Sequence, residues 1–169
     1  LFLLYLATLM IPFQVTMIPN FILVRLLGWY DTYQALILPP AFSAFSTFLL
    51  RQYFMGIPFD LDEAARIDGA GPMRFFFDVV LPLSKTSMAA LFVIQFIYGW
   101  NQYLWPLLIT TQDSMQTIVT GIKKMLTTTD ELAEWQLAMA TAILAMLPPV
   151  AVVVFMQRLF VRGLVETEK

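Results

Sequence analysis

Two groups of residues in this 169-residue sequence have the types and spacing to do chemistry. The first is Gln95, Tyr98, Asn101 and Gln102. Residues 95, 98 and 102 stand at i, i+3 and i+7, which is one face of a helix, with Asn101 beside them and Trp105 further along. The stretch 86–112 that carries them contains no Asp, Glu, Lys or Arg. Amides and hydroxyls in so apolar a helix are costly unless they meet protein or water. The stripe therefore either replaces water around a polyhydroxy solute or bonds to another helix, of this chain or of a partner chain, and its spacing is compatible with both. Gln14, Thr16 and Asn20 pose the same choice with weaker spacing. The second group is Asp60, Asp62, Glu63 and Asp68 around Arg66. Its spacing superficially resembles an acidic metal cluster, but helix caps and surface charge explain it better. The sequence has no cysteine and no histidine, so thiol nucleophiles, thiolate metal sites, disulfides and the commonest acid–base group are missing. That argues against most hydrolytic and metal-dependent enzymes.

The elements that must position these residues follow from charge placement. Only 13% of residues are charged, about half the share of an ordinary soluble domain, and 59% are hydrophobic. Four runs carry no charge at all: 1–24, 32–50, 86–112 and 135–157. A charge-free apolar run of about 18 residues or more can cross a bilayer as a helix. Without period-2 alternation, helices rather than a barrel are expected. The predicted spans are roughly 2–24, 34–54, 86–109 and 136–157, an all-α bundle of four membrane helices. Each contains proline: Pro12 and Pro19, Pro39 and Pro40, Pro106, and Pro148 and Pro149. Proline removes a helical hydrogen bond, and membranes tolerate this where neighbouring helices satisfy the freed carbonyl. Arg51, Arg66, Arg74, Lys85, Arg158, Arg162 and Lys169 fall on one side of this topology and Arg25, Lys123 and Lys124 on the other. The positive-inside rule then places the 51–85 loop and the carboxyl tail in the cytoplasm. A net charge of −2 offers no basic stripe for nucleic acid.

Residues 57–85 read as two short helices. Asp60 and Glu63 have the spacing of an acidic capping box, Asp62 and Arg66 form an i, i+4 pair, and Gly69 stands where a left-handed cap ends a helix. Leu61, Ala64, Ala65 and Asp68 share one face of mostly short side chains. Gly71-Pro72 opens a second helix, which runs through Phe75, Phe76 and Val79 and stops near Leu81-Pro82. Across the membrane, Ile118, Ile122, Met125 and Leu126 make a helical apolar stripe within the 112–135 loop, so a short helix is expected to lie on the outer face.

The pattern Glu63-Ala64-Ala65, three residues, Gly69, nine residues, Val79, one residue, Leu81-Pro82 resembles the EAA loop of the membrane subunits of binding-protein-dependent ABC importers. Val79 stands where isoleucine is usual. The likeness extends to the Pro-rich second span, Gly99-Trp100-Asn101, and the closing Gln157-Arg158-Leu159-Phe160-Val161-Arg162-Gly163-Leu164. Together these resemble carbohydrate-type permeases of the second-subunit kind typified by the maltose system. Phe96 to Leu107 and Ala70 to Phe76 are most similar to the branch that takes up sn-glycerol 3-phosphate.

The resemblance implies a single multi-pass transport domain in the bacterial inner membrane, without catalytic residues or a cofactor of its own. It implies a heterodimer with a second permease, two ATPase subunits that bind ATP and magnesium, and an extracytoplasmic binding protein, which the 112–135 loop would contact. It also implies that 61–69 is the coupling helix, with Glu63, Ala64, Ala65, Asp68, Gly69, Leu81 and Pro82 addressing the ATPase. Such permeases usually have six spans, so about two are expected before Leu1, where the chain starts within an apolar run. No Gly-x-x-x-x-Gly-Lys-Ser/Thr phosphate loop occurs. An ion-coupled carrier would want ionisable residues inside the spans, and a lipid enzyme clustered acids or nucleophiles at the interface; neither pattern is present. Arg51, at the cytoplasmic end of the second span, is the one Lys or Arg within these bounds, so a phosphorylated solute must find its positive charge elsewhere.

Overall fold

The computed structural model describes residues 2–127 and 135–167, and for 127 and 158–167 the backbone only. All regular structure among them is helical: α1 Phe2–Ala7, α2 Phe13–Leu26, α3 Tyr33–Ala41, α4 Ala44–Met55, α5 Phe59–Ile67, α6 Pro72–Phe75, α7 Leu81–Leu83, α8 Lys85–Trp100, α9 Leu104–Ile109, α10 Ile118–Thr127 and α11 Trp135–Thr167. The segment Trp135–Gln157 of α11 is long and apolar enough to cross a membrane by itself, with mean hydropathy 2.3. Up to four crossings result if each bent pair of helices counts as one.

Proline decides where the predicted spans break. Residues 2–24 are not one bent helix: a short 3-10 turn over Thr8–Met10 follows α1, and the axis then swings by 104° into α2. Ile11 precedes Pro12 and is extended, as the proline ring requires of its neighbour. Pro12 is extended too and stands just ahead of α2. In the second span the bend is only 40°, between α3 and α4. Ser43 restarts the helix there by accepting a hydrogen bond from the Ser46 N–H at 3.2 Å. The third span is shorter than the 86–109 run. Helix α8 ends at Trp100, and α9 begins afresh at Leu104, because Pro106 is accommodated best in a first turn, whose N–H groups have no helical partner. Helix α11 continues unbroken through Pro148 and Pro149.

Two of the carbonyls that the prolines free are used to join helices. Pro39 cannot donate to the carbonyl of Ala35, and the Trp105 indole N–H donates to it instead at 2.9 Å. Pro149 cannot donate to Ala145, and the Trp100 indole N–H takes that carbonyl at 3.0 Å. These two bonds tie α3 to α9 and α8 to α11. Around the first, Val24, Ala35, Trp105 and Ile109 form the buried core, with Phe13, Met17, Phe21 and Leu108 against it. Phe13 meets Trp105 edge-on at 6.3 Å between ring centres.

A second tie joins the 27–32 turn to the end of α9. Asp31 has φ +56°, a left-handed conformation that Asp tolerates better than most residues. Its N–H donates to the Ile109 carbonyl at 3.1 Å. Its carboxylate accepts from the Thr111 hydroxyl, the Thr111 N–H at 2.5 Å and the Gln112 N–H at 3.2 Å. The Thr111 hydroxyl, then the Thr111 N–H, hold the Asp31 carboxyl below the ordinary carboxylate value.

The indole bonds predict a thermodynamic cycle. Trp105→Phe leaves a buried carbonyl without a donor and is expected to cost about 1–3 kcal/mol plus lost packing. In a Pro39→Ala background residue 39 donates again, so the loss should shrink by about 1 kcal/mol. Equal losses in both backgrounds, measured by denaturation in detergent, would mean the bond contributes nothing. Because the Asp31 carboxyl titrates lower when folded, its contribution is present above about pH 4, the unfolded value. It disappears as pH falls through the folded value. The Asp31→Asn variant should melt lower at neutral pH and lose less on acidification; parallel pH profiles would remove this role.

Candidate functional site

The polar stripe opens onto two cavities. One, of about 630 Å³, is lined by Gln95, Tyr98 and Gln102 together with Pro40, Ser46 and Thr117. The other, of about 550 Å³, is lined again by Gln95 and Tyr98, now with Thr16, Asn20 and Ser43. Gln95 and Tyr98 thus stand in the wall between them, beside the proline bend of α3. No hydrogen bond among the described residues takes up the side chains of Gln95, Tyr98 or Gln102, and none has a sealed polar atom. Among the described residues no other helix of this chain bonds to the stripe, which leaves contact with a solute and bonding to a partner chain both open. Apolar side chains such as Leu36, Leu91 and Phe92 complete the first cavity, the usual mixture for a small-molecule site.

Asn101 does not join the others. Its side-chain amide donates to the Ile97 carbonyl at 2.8 Å and closes the end of α8, and it lines neither cavity. The helix stops one residue before it, so the helical spacing no longer applies. Gln14 is exposed and lines neither cavity. Sequence reasoning missed Ser43, Ser46 and Thr117. The first two had a readable signal, since a Ser-x-x-Ser after Pro39-Pro40 marks a helix restart in a polar bend. Neither cavity is lined by Lys or Arg.

The loop between α4 and α8 follows its predicted stops more closely than its starts. Helix α5 begins at Phe59, behind Pro58, and no side chain caps it. The expected Asp60–Glu63 box is therefore absent: Asp60 already has helical geometry and lies in the first turn, where its charge suits the helix dipole. Asp62 and Arg66 pair at 2.8 Å. Gly69 has φ +74°, and the α5 end closes as a Schellman motif, with Ala70 N–H on the Ala65 carbonyl at 2.8 Å and Gly69 N–H on the Arg66 carbonyl at 3.0 Å. Gly71-Pro72 opens α6.

From there the helix runs on to Leu83, past the expected stop at Leu81-Pro82, through one wide π turn over Phe76–Val80. Pro82 lacks the N–H that the Asp78 carbonyl would need, and a wider turn precedes it. The axis then bends by 68° into α8. Two bonds anchor that bend: the Tyr53 hydroxyl to the Leu83 carbonyl at 2.7 Å, and the buried Ser84 hydroxyl to the Val80 carbonyl at 2.5 Å.

Glu63, Ala64, Asp68, Gly69 and Pro82 are exposed, and Ala65 and Leu81 half-buried. Phe59, Ile67, Met73 and Phe77 on the same loop are more than half exposed. Among the described residues no three acids converge as a metal site would need, so the Asp60–Asp68 group is surface charge.

The sn-glycerol-3-phosphate transport system permease protein UgpE of Rhizobium meliloti (strain 1021) is 59% identical over 162 residues, which are 96% of this chain and 57% of that protein. The proteins of the same name from Agrobacterium fabrum (strain C58 / ATCC 33970) and from Yersinia enterocolitica serotype O:8 / biotype 1B are 58% and 57% identical over the same share of this chain, and over 57% and 58% of their own lengths. The chain thus spans somewhat more than half the length of these relatives. Residues 1–166 match the family described as binding-protein-dependent transport system inner membrane component, and the chain belongs to that family.

Proposed function

We propose that this chain is a membrane-spanning permease subunit of an ATP-driven importer, and that the solute is sn-glycerol 3-phosphate or one of its diesters. The observation that carries the reading is the juxtaposition of Gln95, Tyr98 and Gln102 on a cavity of about 630 Å³ beside the Pro39-Pro40 bend. Amide and phenol groups with no partner in the chain can replace water around a glycerol moiety. The wall residues Gln95 and Tyr98 face the second cavity as well, so a small rotation of α8 against α3 would pass a solute from one to the other. The 57–59% identity to glycerol-phosphate permeases supports the choice of solute.

In this reading the pathway is completed by a second permease, and two ATPase subunits bind ATP and magnesium. An extracytoplasmic binding protein delivers the solute to the 112–135 loop. Only 11% of the most apolar window of α11 is buried within the chain, which fits a surface facing lipid and the partner permease. The 57–85 loop lies in the cytoplasm, as does the carboxyl terminus, and α5 is the coupling helix. Its small-residue face around Ala64 and Ala65, flanked by the exposed Phe59 and Ile67, suits a groove on the ATPase. Movement at α5 reaches α8 through the continuous 72–83 helix and reaches α4 through Tyr53. Rigid-body rocking of that kind would alternate access without a catalytic group on this chain.

Two outcomes test this. A Cβ at Gly69 would meet nothing within 4 Å, so substitution acts through the backbone alone. A β-branched residue at φ +74° is strongly disfavoured, and Asn much less so. Gly69→Val, like Glu63→Lys, should leave the chain inserted but let ATP hydrolysis run without uptake, while Gly69→Asn retains most coupling. Normal uptake by Gly69→Val would sink the coupling role. In liposomes carrying the full-length chain with its partner permease, ATPase and binding protein, labelled sn-glycerol 3-phosphate should accumulate on ATP addition and maltose should not. Gln95→Leu/Gln102→Leu should reduce that rate by about tenfold or more, given about 1 kcal/mol per lost hydrogen bond. Uptake of maltose alone would discard the solute and keep the mechanism.

A further inference from the structure

The carboxyl end of α4 meets the 68° bend at which the 72–83 helix turns into α8. That bend leaves the Leu83 carbonyl without a helical donor, as the last carbonyls of a helix are left. Helix α8 opens instead with the Met88 N–H on the Ser84 carbonyl at 2.8 Å, and among the described residues no backbone N–H takes Leu83. The Tyr53 hydroxyl donates to it, at 2.7 Å and across 30 positions of chain. Among the described residues this is the one hydrogen bond or ion pair between residues 59–83 and α4. On the α8 side the Ser84 hydroxyl and N–H both reach the Val80 carbonyl, so the bend is fixed from within.

Next to that bond the seam between α4 and α8 is loose. A cavity of about 210 Å³ opens between Leu49, Leu50 and Tyr53 of α4 and Ser87, Ala90 and Leu91 of α8. Leu50 and Leu91 also line the cavity of about 630 Å³ that carries the polar stripe. The two helices are thus pinned at one end, underpacked beside the pin, and open to the pathway cavity after that. Helices packed to native density resist relative movement, because a displaced side chain loses contacts or collides. Space beside Ala90 removes that resistance over about two turns of α8.

We infer that the Tyr53 hydroxyl is the pivot of transmission from the 57–85 loop to the pathway. It holds the end of the 72–83 helix on α4, so that a pull on the loop tilts α8 against α4 within the space beside Ala90. A pin at one end converts a translation into a rotation about that end; without it the same translation slides the bend past α4 and is lost. The rotation changes the width of the pathway cavity at Leu50 and Leu91, which line both spaces. Tyrosine suits a pin, since its ring is rigid and only two side-chain torsions separate the hydroxyl from the backbone. Tyr53 is a positioning residue and touches neither solute nor nucleotide in this scheme. The pivot rests on the reading of 57–85 as the coupling loop and adds the fixed point about which its movement turns.

The test uses the full-length chain with its partner permease, ATPase and binding protein in liposomes. It reads ATP hydrolysed per molecule of labelled sn-glycerol 3-phosphate taken up. Tyr53→Phe removes the hydroxyl and keeps the ring against Phe54. It should raise that ratio about fivefold, the factor expected of one lost hydrogen bond. Ala90→Leu fills the space and keeps the pivot. It should slow hydrolysis and uptake together by about tenfold, the scale of an overpacked contact, at an unchanged ratio. Ala90→Val should slow both to a smaller degree, and serves where leucine prevents assembly.

A purely structural Tyr53 would lower the yield of assembled complex and leave the ratio alone. An unchanged ratio in Tyr53→Phe would therefore overturn the pivot, as would full-rate uptake in both Ala90 variants. Gly69→Val separates this result from the reading beneath it. If Gly69→Val uncouples and Tyr53→Phe does not, the loop couples and the pivot is wrong. Normal coupling in Gly69→Val removes the coupling loop, and the pivot with it. Where the complex carries maltose instead, the ratio is read with maltose and the same outcomes decide.

Discussion

A proline inside an apolar helix leaves one backbone carbonyl without a donor, and in a hydrocarbon surrounding no water can supply it. Much of this architecture follows from that constraint. The Ala35 carbonyl, orphaned by Pro39, and the Ala145 carbonyl, orphaned by Pro149, are both met by tryptophan indoles from other helices, Trp105 and Trp100. An indole has one N–H and an apolar body, so it can cross a greasy interface and still deliver a donor. Prolines inside these helices thereby mark points of attachment between helices. Without those bonds α3 and α11 would each carry an unsatisfied carbonyl next to a neighbour unable to help.

The same arrangement organises the site. Trp105 and Pro106 both lie in the short α9, and Trp105 is almost fully buried between α3 and α2. Because α9 starts only after a break at Asn101–Tyr103, its two sides are presented to different spaces. Polar but uncharged groups of α8 meet the larger cavities, while the cationic end of α10 meets a separate, smaller one. The ammonium groups of Lys123 and Lys124 thus stay exposed, near water, where their desolvation cost is small. At the opposite end, the 57–84 segment reaches α8 and α4 through few but specific contacts, namely the continuous 72–83 helix, Ser84 and Tyr53. Its outer face is left uncovered by the rest of the chain. A rigid connection with an open face is what a transmitting element requires.

Local signals in this sequence were legible wherever the backbone conformation itself was at stake. Gly69 takes the left-handed position that few other residues hold without strain, Gly71-Pro72 opens a helix because Pro pre-sets φ, and Asp62 reaches Arg66 because helical geometry puts them one turn apart. The apolar stripe of 118–126 likewise forms its helix. The signals that failed were those with two local solutions. Asp60 could cap a helix or sit inside it, and Pro58, extended behind Ile57, moved the start one residue ahead of it. Pro12 could bend a helix or end it, and the neighbouring α4 holds α1 on the far side of a 104° turn through Tyr5 to Thr47 and the stacked Phe2 and Phe48. Asn101 fitted the helical stripe by number, but α8 stops before it, since the chain must open a new first turn for Pro106.

Read alone, the sequence determined that the chain is helical and apolar, that its 57–85 loop is two punctuated helices, and that the polar residues of its third span are Gln95, Tyr98, Asn101 and Gln102. Each of these depends on composition or on contacts within about one helical turn. Which indole meets which orphaned carbonyl, and that Gln95 and Tyr98 divide two cavities, were decided by tertiary structure. The two indole bonds join residues 45 and 70 positions apart in the chain, and only the packing of whole helices brings them within hydrogen-bonding reach.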